Sequence, residues 1–334
     1  MTRIALIKLS SLGDVVHALP VAATLRARVP DAHVTWIVER RESALLRDHP
    51  ALDALVAVDT RGWRRARGLR DLANVVGAVR QMRRRLRAAA FDVALDLQGL
   101  LKSGVLAAAT RAPLRIGFSA RRCREPLNAL FTNRHVEPPA AARHVVDQHL
   151  ALLEPLSVTE PVREFRLPRE PAAEARADQF LAACGLREGG RLVILNPGAG
   201  RADKRWPEDR FRLLAERLGE DAGVFVLVVW GPGEEASARH IAPGGAHRAV
   251  CGPPTDLDEL VAFLRRASVL VAADTGPLHL AAALGTPCVG LYGPTSTVRN
   301  GPYGAGHRCL QGLGGRVSTI EVDAVLHAVR DLVA

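Results

Sequence analysis

Short apolar runs recur along the whole chain, and most end in a loop carrying glycine, proline or aspartate before a helical pattern begins. Residues 4–9, 33–38, 54–58, 92–97 and 114–118 form such runs in the first half. Residues 191–195, 224–230, 269–273 and 288–291 form them in the second. A continuous apolar run of this length suits a strand buried on both faces. Strand and helix in alternation predict parallel sheets with helices on both faces, an α/β architecture. In such sheets ligands bind outside the carboxyl ends of the strands. The loops that follow the runs are therefore the first places to look for chemistry.

At 334 residues the chain exceeds the usual span of one compact core. Prolines cluster at Pro155, Pro161, Pro168 and Pro171, which marks residues 154–171 as a linker with a short extended piece around Phe165. Two domains are expected, residues 1–160 and 171–334, with a last helix over 319–333 able to pack back on the first. The opening apolar run is interrupted by Lys8 and Asp14, unlike a signal peptide. No run reaches the roughly 18–20 apolar residues of a membrane helix. Five scattered cysteines give neither a zinc pattern nor a disulfide framework. A cytoplasmic protein is expected. Aromatics make up only 4%, which argues against a stacking surface for single-stranded nucleic acid. A net charge of +10 favours an anionic partner.

Of 45 basic residues only Lys8, Lys102 and Lys204 are lysines. Where arginine is used so freely, a retained lysine suggests a place that needs a compact ammonium. Lys204 follows the glycine-rich loop Asn196-Pro197-Gly198-Ala199-Gly200, which suits a diphosphate. It is not a P-loop, because the lysine does not follow the final glycine. Gly231-Pro232-Gly233-Glu234-Glu235 ends the next strand; a carboxylate there either binds ribose hydroxyls or favours a helix start. Asp274-Thr275-Gly276 makes a turn into a helix opened by Pro277, with His279 one turn in from Thr275. It reads as a phosphate-facing helix start or as a plain capped junction. Ser10-Ser11-Leu12-Gly13-Asp14 mirrors it near the start of the chain, and Gln98-Gly99-Leu100-Leu101-Lys102 follows another strand. Arginines crowd residues 61–70, including Arg61 and Arg64, and the helix carrying Arg80, Arg83, Arg84, Arg85 and Arg87. Their density suits an anionic acceptor or lipid headgroups. Arg124 lies in a basic loop, and Arg143 and His144 open a further helix.

In order along the chain stand K-L-S-S-L-G-D-V-V-H from Lys8, D-L-Q-G-L-L-K-S from Asp96, R-E-P-L from Arg124, D-K-R-W-P from Asp203, W-G-P-G-E-E from Trp230, D-T-G-P-L-H from Asp274 and Y-G-P-T from Tyr292. Together they resemble the lipopolysaccharide heptosyltransferases, glycosyltransferase family 9, and most of all the enzymes that add the first heptose to Kdo-lipid A. The resemblance implies a GT-B fold, two Rossmann-like domains facing across a cleft. The first would hold the acceptor and the second the nucleotide sugar. It implies ADP-heptose as donor, inversion at the anomeric carbon and neither cofactor nor metal. Carried over by motif, Asp14 resembles the catalytic base. Lys204 resembles the diphosphate ligand; Glu235, or Glu234 beside it, resembles the ribose ligand. Asp274, Thr275, Gly276 and His279 resemble the donor-binding turn. The acceptor side would comprise Ser10, Ser11, Gly13, Arg61, Arg64, Gln98, Lys102, Arg124, Arg143 and His144. The partners implied are the donor, a lipid-linked anionic glycan and the inner-membrane surface, met peripherally from the cytoplasm, with no nucleic acid.

Other readings compete. A second heptosyltransferase or another family member would differ in acceptor. A nucleotide-sugar epimerase or dehydrogenase lacks support: no G-x-G-x-x-G follows the first strand, and no tyrosine precedes Tyr292. A non-enzymatic binder of anionic polymers or lipid would leave the lysine- and acid-bearing loops unexplained.

Overall fold

The computed structural model describes residues 1–65, 69–242 and 249–333; for Arg64, Arg65, Leu69, Arg70 and Leu72 it describes the backbone only. The chain divides into two compact units, Met1–Pro168 and Arg169–Ala334.

In the first unit, strands β1 (Arg3–Ile7), β2 (His33–Glu39), β3 (Ala54–Val58), β4 (Val93–Asp96), β5 (Leu114–Phe118) and β6 (Arg134–Val136) form one sheet in the order β3-β2-β1-β4-β5-β6. In the second, β7 (Arg191–Asn196), β8 (Val224–Val228), β9 (Ala249–Cys251), β10 (Val269–Ala273), β11 (Cys288–Tyr292) and β12 (Arg308–Gln311) run β12-β11-β10-β7-β8-β9. Every pairing in both sheets is parallel. Counted within each unit, both orders are that of a dinucleotide-binding sheet, reversing direction beside the first strand. The reversal lies between β1 and β4 in one unit and between β7 and β10 in the other.

The central strands are apolar because helices cover both of their faces: all of β8, β10 and β11 is buried, as is β1 after Arg3. Edge strands β6, β9 and β12 were not legible as apolar runs. They are three or four residues long and partly exposed, so few of their residues need be apolar. The helical pattern after β1 breaks at Pro20. One helix covers Leu12–Val16 and a second restarts over Leu19–Arg28, with the proline in its first turn, where an N–H has no helical partner.

Residues 158–170 contain neither helix nor strand, so no strand forms around Phe165. This segment is tied to the first unit: the Thr24 hydroxyl accepts from Val162 N at 2.9 Å, and the Val162 carbonyl lies 3.1 Å from that hydroxyl. The last helix corrects the sequence expectation. Val322–Val333 packs in the second unit, against β10, β11, β12 and the helix Glu208–Gly219. Its apolar stripe of Val322, Val325, Leu326 and Val329 joins that unit's core.

Candidate functional site

In the first unit the reversal point is occupied by the loops after β1 and β4, and one side chain fastens them together. Gln98 accepts from the backbone N–H groups of Leu9 (2.9 Å) and Ser10 (3.3 Å) through its amide oxygen, and donates to the Ser10 carbonyl at 2.7 Å. Behind it, the fully buried Asp96 carboxylate accepts from Gln98 N, Ser103 Oγ and Asn128 Nδ2. Burial pushes the Asp96 carboxyl up, against the pull of these donors. Asp14 sits on the first turn of the helix Leu12–Val16. Its Oδ2 accepts from Ser11 N (2.8 Å) and Ser11 Oγ (2.9 Å), while Oδ1 lies 3.7 Å from Lys8 Nζ. Partial burial opposes the charge on Asp14. The Lys8 ammonium, the Ser11 donors and nearby His149 outweigh it and hold the carboxyl below its ordinary value. Lys8 is itself buried, donating to the Leu97 carbonyl at 2.9 Å and standing 3.2 Å from His149 Nε2. Gly13, with no side chain, fills the buried turn between Ser11 and Asp14.

Two buried acids stand at the end of β2. Glu39 accepts from Thr60 through both carboxylate oxygens, and Lys102 Nζ lies 3.6 Å from it and 3.5 Å from Ser10 Oγ. Glu42 lies 3.3 Å from Arg61 Nη2. Burial raises the Glu42 carboxyl, with Arg61 and Arg41 pulling the other way.

In the second unit the reversal point joins the loops after β7 and β10. Lys204 Nζ donates to Asp274 Oδ2 at 2.7 Å, and His279 Nε2 lies 3.0 Å from Asp274 Oδ1. The Asp274 side chain is almost wholly enclosed, which disfavours its charge. His279 and Lys204 more than compensate and hold the carboxyl far below its usual range. Thr275 starts the helix Gly276–Ala283 without capping it: its hydroxyl donates back to the Ala273 carbonyl at 3.1 Å. The first N–H groups of that helix therefore keep their capacity for an anion. Of the two adjacent acids, the structure brings Glu234, not Glu235, to the glycine loop. Glu234 accepts from Gly231 N at 3.0 Å and lies against Gly198, where a Cβ would fall 2.1 Å from its Oε2. Glu235, the other candidate for the ribose, opens the helix Glu235–Ile241 and pairs with Arg239 one turn on, at 2.7 Å, on an exposed face. A helix start turns successive side chains by about 100°, so neighbours there cannot share a direction.

The remaining expected residues are spread around the first unit. Arg124 and Arg143 are exposed. His144 caps the helix Val145–Ala151 by accepting from Val146 N at 3.1 Å, and its ring meets His17 edge to face. The Arg64 side chain lies outside the described residues. A D-x-D spacing exists at Asp256-Leu257-Asp258, where Asp256 caps the helix Leu257–Arg266 through Glu259 N at 2.8 Å.

The family model for glycosyltransferase family 9 (heptosyltransferase) matches residues 79–317. The chain belongs to this family. The family 9 chain is 30% identical to the lipopolysaccharide heptosyltransferase 1 of Escherichia coli K12, over 99% of its own length and all of that protein's. It is similar in structure to the E. coli heptosyltransferase WaaC solved with ADP (TM-score 0.82, 29% identity, 99% and 100% of the two chains). Against the same enzyme with ADP-2-deoxy-2-fluoro heptose the TM-score is 0.80, again at 29% identity and 99% coverage of both. The fold is therefore GT-B.

In this family 9 transferase each of the three lysines stands within 4 Å of a carboxylate: Lys8 with Asp14, Lys102 with Glu39 and Lys204 with Asp274. Their scarcity had pointed to them, although Lys8 was not among the expected site residues. Glu39, Glu42, Asp96 and His149 were missed altogether. A buried glutamate at a strand end reads like any polar boundary residue, and His149 meets Lys8 from 141 positions away.

Proposed function

We propose that this glycosyltransferase moves L-glycero-D-manno-heptose from ADP-heptose to the Kdo of Kdo-lipid A, with inversion at the anomeric carbon and without a metal ion. The reading rests on one observation. An end-to-end relative of lipopolysaccharide heptosyltransferase 1 holds a lysine–aspartate pair at the reversal point of each sheet.

Asp14 is the base. The Kdo hydroxyl attacks heptose C1, its proton passes to Asp14, and the bond from C1 to the β-phosphate oxygen breaks with its electron pair leaving on ADP. A carboxylate with a lowered pKa is a weak base for an alcohol. It takes the proton late, when the attacking oxygen already carries positive charge. Lys8 keeps Asp14 ionised between turnovers, and Ser11 fixes the direction of its free lone pairs. Lys204 and the first N–H groups of the helix Gly276–Ala283 take up the charge gained by the leaving diphosphate. Asp274, oriented by His279, positions the lysine. Glu234 serves the ribose in place of Glu235. Lys102 and Arg61, backed by Glu39 and Glu42, face the anionic acceptor. A lipid-linked acceptor brings the protein to the cytoplasmic face of the inner membrane as a peripheral enzyme. Among the described residues no helix is long and apolar enough to cross a membrane.

The test is product analysis by mass spectrometry and NMR after incubation with ADP-heptose and Kdo-lipid A. The expected product carries one added heptose on Kdo, with the anomeric configuration opposite to that of the donor. A retained configuration, or heptose added only to an already heptosylated acceptor, would overturn the assignment.

A further inference from the structure

The helix Leu101–Thr110 presents an apolar stripe to solvent. Leu101, Val105 and Ala108 are exposed at i, i+4 and i+7, with Leu101 at 39% and Val105 at 51%. That spacing normally marks the face a helix buries. Here the buried face is the other one, carrying Ser103, Gly104, Leu106 and Ala107. Gly104 lets the turn Pro126–Phe131 pack close: a Cβ there would lie 2.9 Å from the Phe131 ring and 2.8 Å from Asn128 Nδ2. Asn128 anchors the turn by donating to the Leu100 carbonyl at 2.7 Å and to Asp96 at 2.6 Å. On the far side of that anchor Leu127 and Leu130 stand in solvent, 60% and 78% exposed. Two adjoining segments thus turn four large apolar side chains outward.

The surroundings are basic. Arg111, Arg121, Arg122, Arg124 and Arg134 are all exposed in the segments flanking the helix and the turn. The acids that answer them are few. Glu137 pairs with Arg122 at 2.8 Å, Glu154 lies 3.9 Å from Arg134, and Glu125 is occupied with Leu101 N at 2.6 Å. Exposed apolar side chains with arginines in the flanking segments match an anionic bilayer, with headgroups on the arginines and acyl chains under the leucines. The helix also ties the patch to the proposed acceptor side, since Lys102, the residue after Leu101, turns its ammonium to within 3.5 Å of Ser10 Oγ.

We propose that Leu101, Val105, Leu127 and Leu130 with the flanking arginines form the surface by which this protein docks on an anionic phospholipid membrane, presenting the first unit to a lipid-linked acceptor. The second clause rests on the function proposed above; the first does not.

The experiment is co-sedimentation of the full chain with vesicles of mixed phosphatidylglycerol and phosphatidylethanolamine, with phosphatidylcholine vesicles as the neutral control. Wild-type protein should bind the anionic vesicles. The double variant Leu127→Ser, Leu130→Ser should bind about tenfold or more weakly, given the apolar area withdrawn. Arg121→Ser should weaken binding by about fivefold, as expected for one arginine near an anionic surface. Leu313→Ser removes an equally exposed leucine, 76% exposed in the second unit, and should bind like wild type. Assayed on Kdo-lipid A in vesicles, the double variant should show a raised acceptor KM and an unchanged kcat. ADP-heptose affinity should not move. Undiminished vesicle binding by the double variant would overturn the proposal. So would loss of binding on Arg83→Ser, Arg84→Ser alone, which would place the contact on the helix Leu69–Ala88. A lipid-free dimer of wild type that the leucine variants dissociate would also overturn it, by showing a second copy as the occupant. If no variant transfers heptose while vesicle binding follows the leucines, the surface stands and the function assigned to the site falls.

Discussion

At the scale of single residues, the proposed chemistry rests on carboxylates that stand beside lysines. Asp14→Asn preserves the Ser11 contacts in outline but removes the proposed base. We expect kcat to fall about 10²–10⁴-fold with ADP affinity unchanged, as stopped-flow turnover and calorimetry would report. Lys8→Met gives a different signature. With the ammonium gone, one of the groups opposing burial is lost and the Asp14 carboxyl moves up. Because Asp14 must be deprotonated to act, the acid limb of kcat/KM should shift to higher pH in this variant; an unmoved limb would separate Lys8 from the base. Asp274 is a test of stability. Its folded pKa lies below that of the unfolded chain, about 3.9, so its contribution is complete above that pH and fades as pH falls below it. Asp274→Asn should lower the urea midpoint at neutral pH by an amount equivalent to about 3 kcal/mol, since it strands a partly buried lysine. The gap from wild type should narrow below about pH 4.

At the scale of elements, the loops after β1, β4, β7 and β10 carry the candidate site because the sheet order reverses there. This much was legible. Strands buried on both faces betray themselves as apolar runs, and β10 lies where its run placed it, as do the less buried β3 and β5. The scarcity of lysine singled out the loops a second time. Less legible were features set by direction or by distance in sequence. Glu234 and Glu235 differ only in which way a helix start turns them, and the pattern of residue types carries no trace of that. Gln98 was marked as an acceptor-side residue, yet its amide is spent fastening the Ser10 loop through three hydrogen bonds. His144, marked likewise, serves as a helix cap. The pair of glutamates offers a direct comparison. Glu234→Gln should raise the donor KM by about tenfold, the worth of a charged hydrogen-bonding partner, whereas Glu235→Gln, which breaks only a surface pair, should leave it within about twofold. The reverse order in steady-state kinetics would return the ribose to Glu235.

At the scale of the whole molecule, two units with the same strand order each contribute one lysine–aspartate pair, Lys8 with Asp14 and Lys204 with Asp274. In the proposed reaction the first serves proton removal from an alcohol and the second a leaving diphosphate. The overall architecture could be read from strand–helix alternation and the ordered motifs. The placement of the last helix could not, because its apolar stripe says that it packs but not on what. The central claim is that one unit serves an acceptor and the other a nucleotide sugar, in one metal-independent reaction. The most direct measurement is ADP release in EDTA with ADP-heptose and Kdo-lipid A together and with each omitted in turn. The account predicts release only when both are present, lost in Asp14→Asn. Release that needs added divalent metal, or that proceeds undiminished without the acceptor, would contradict it.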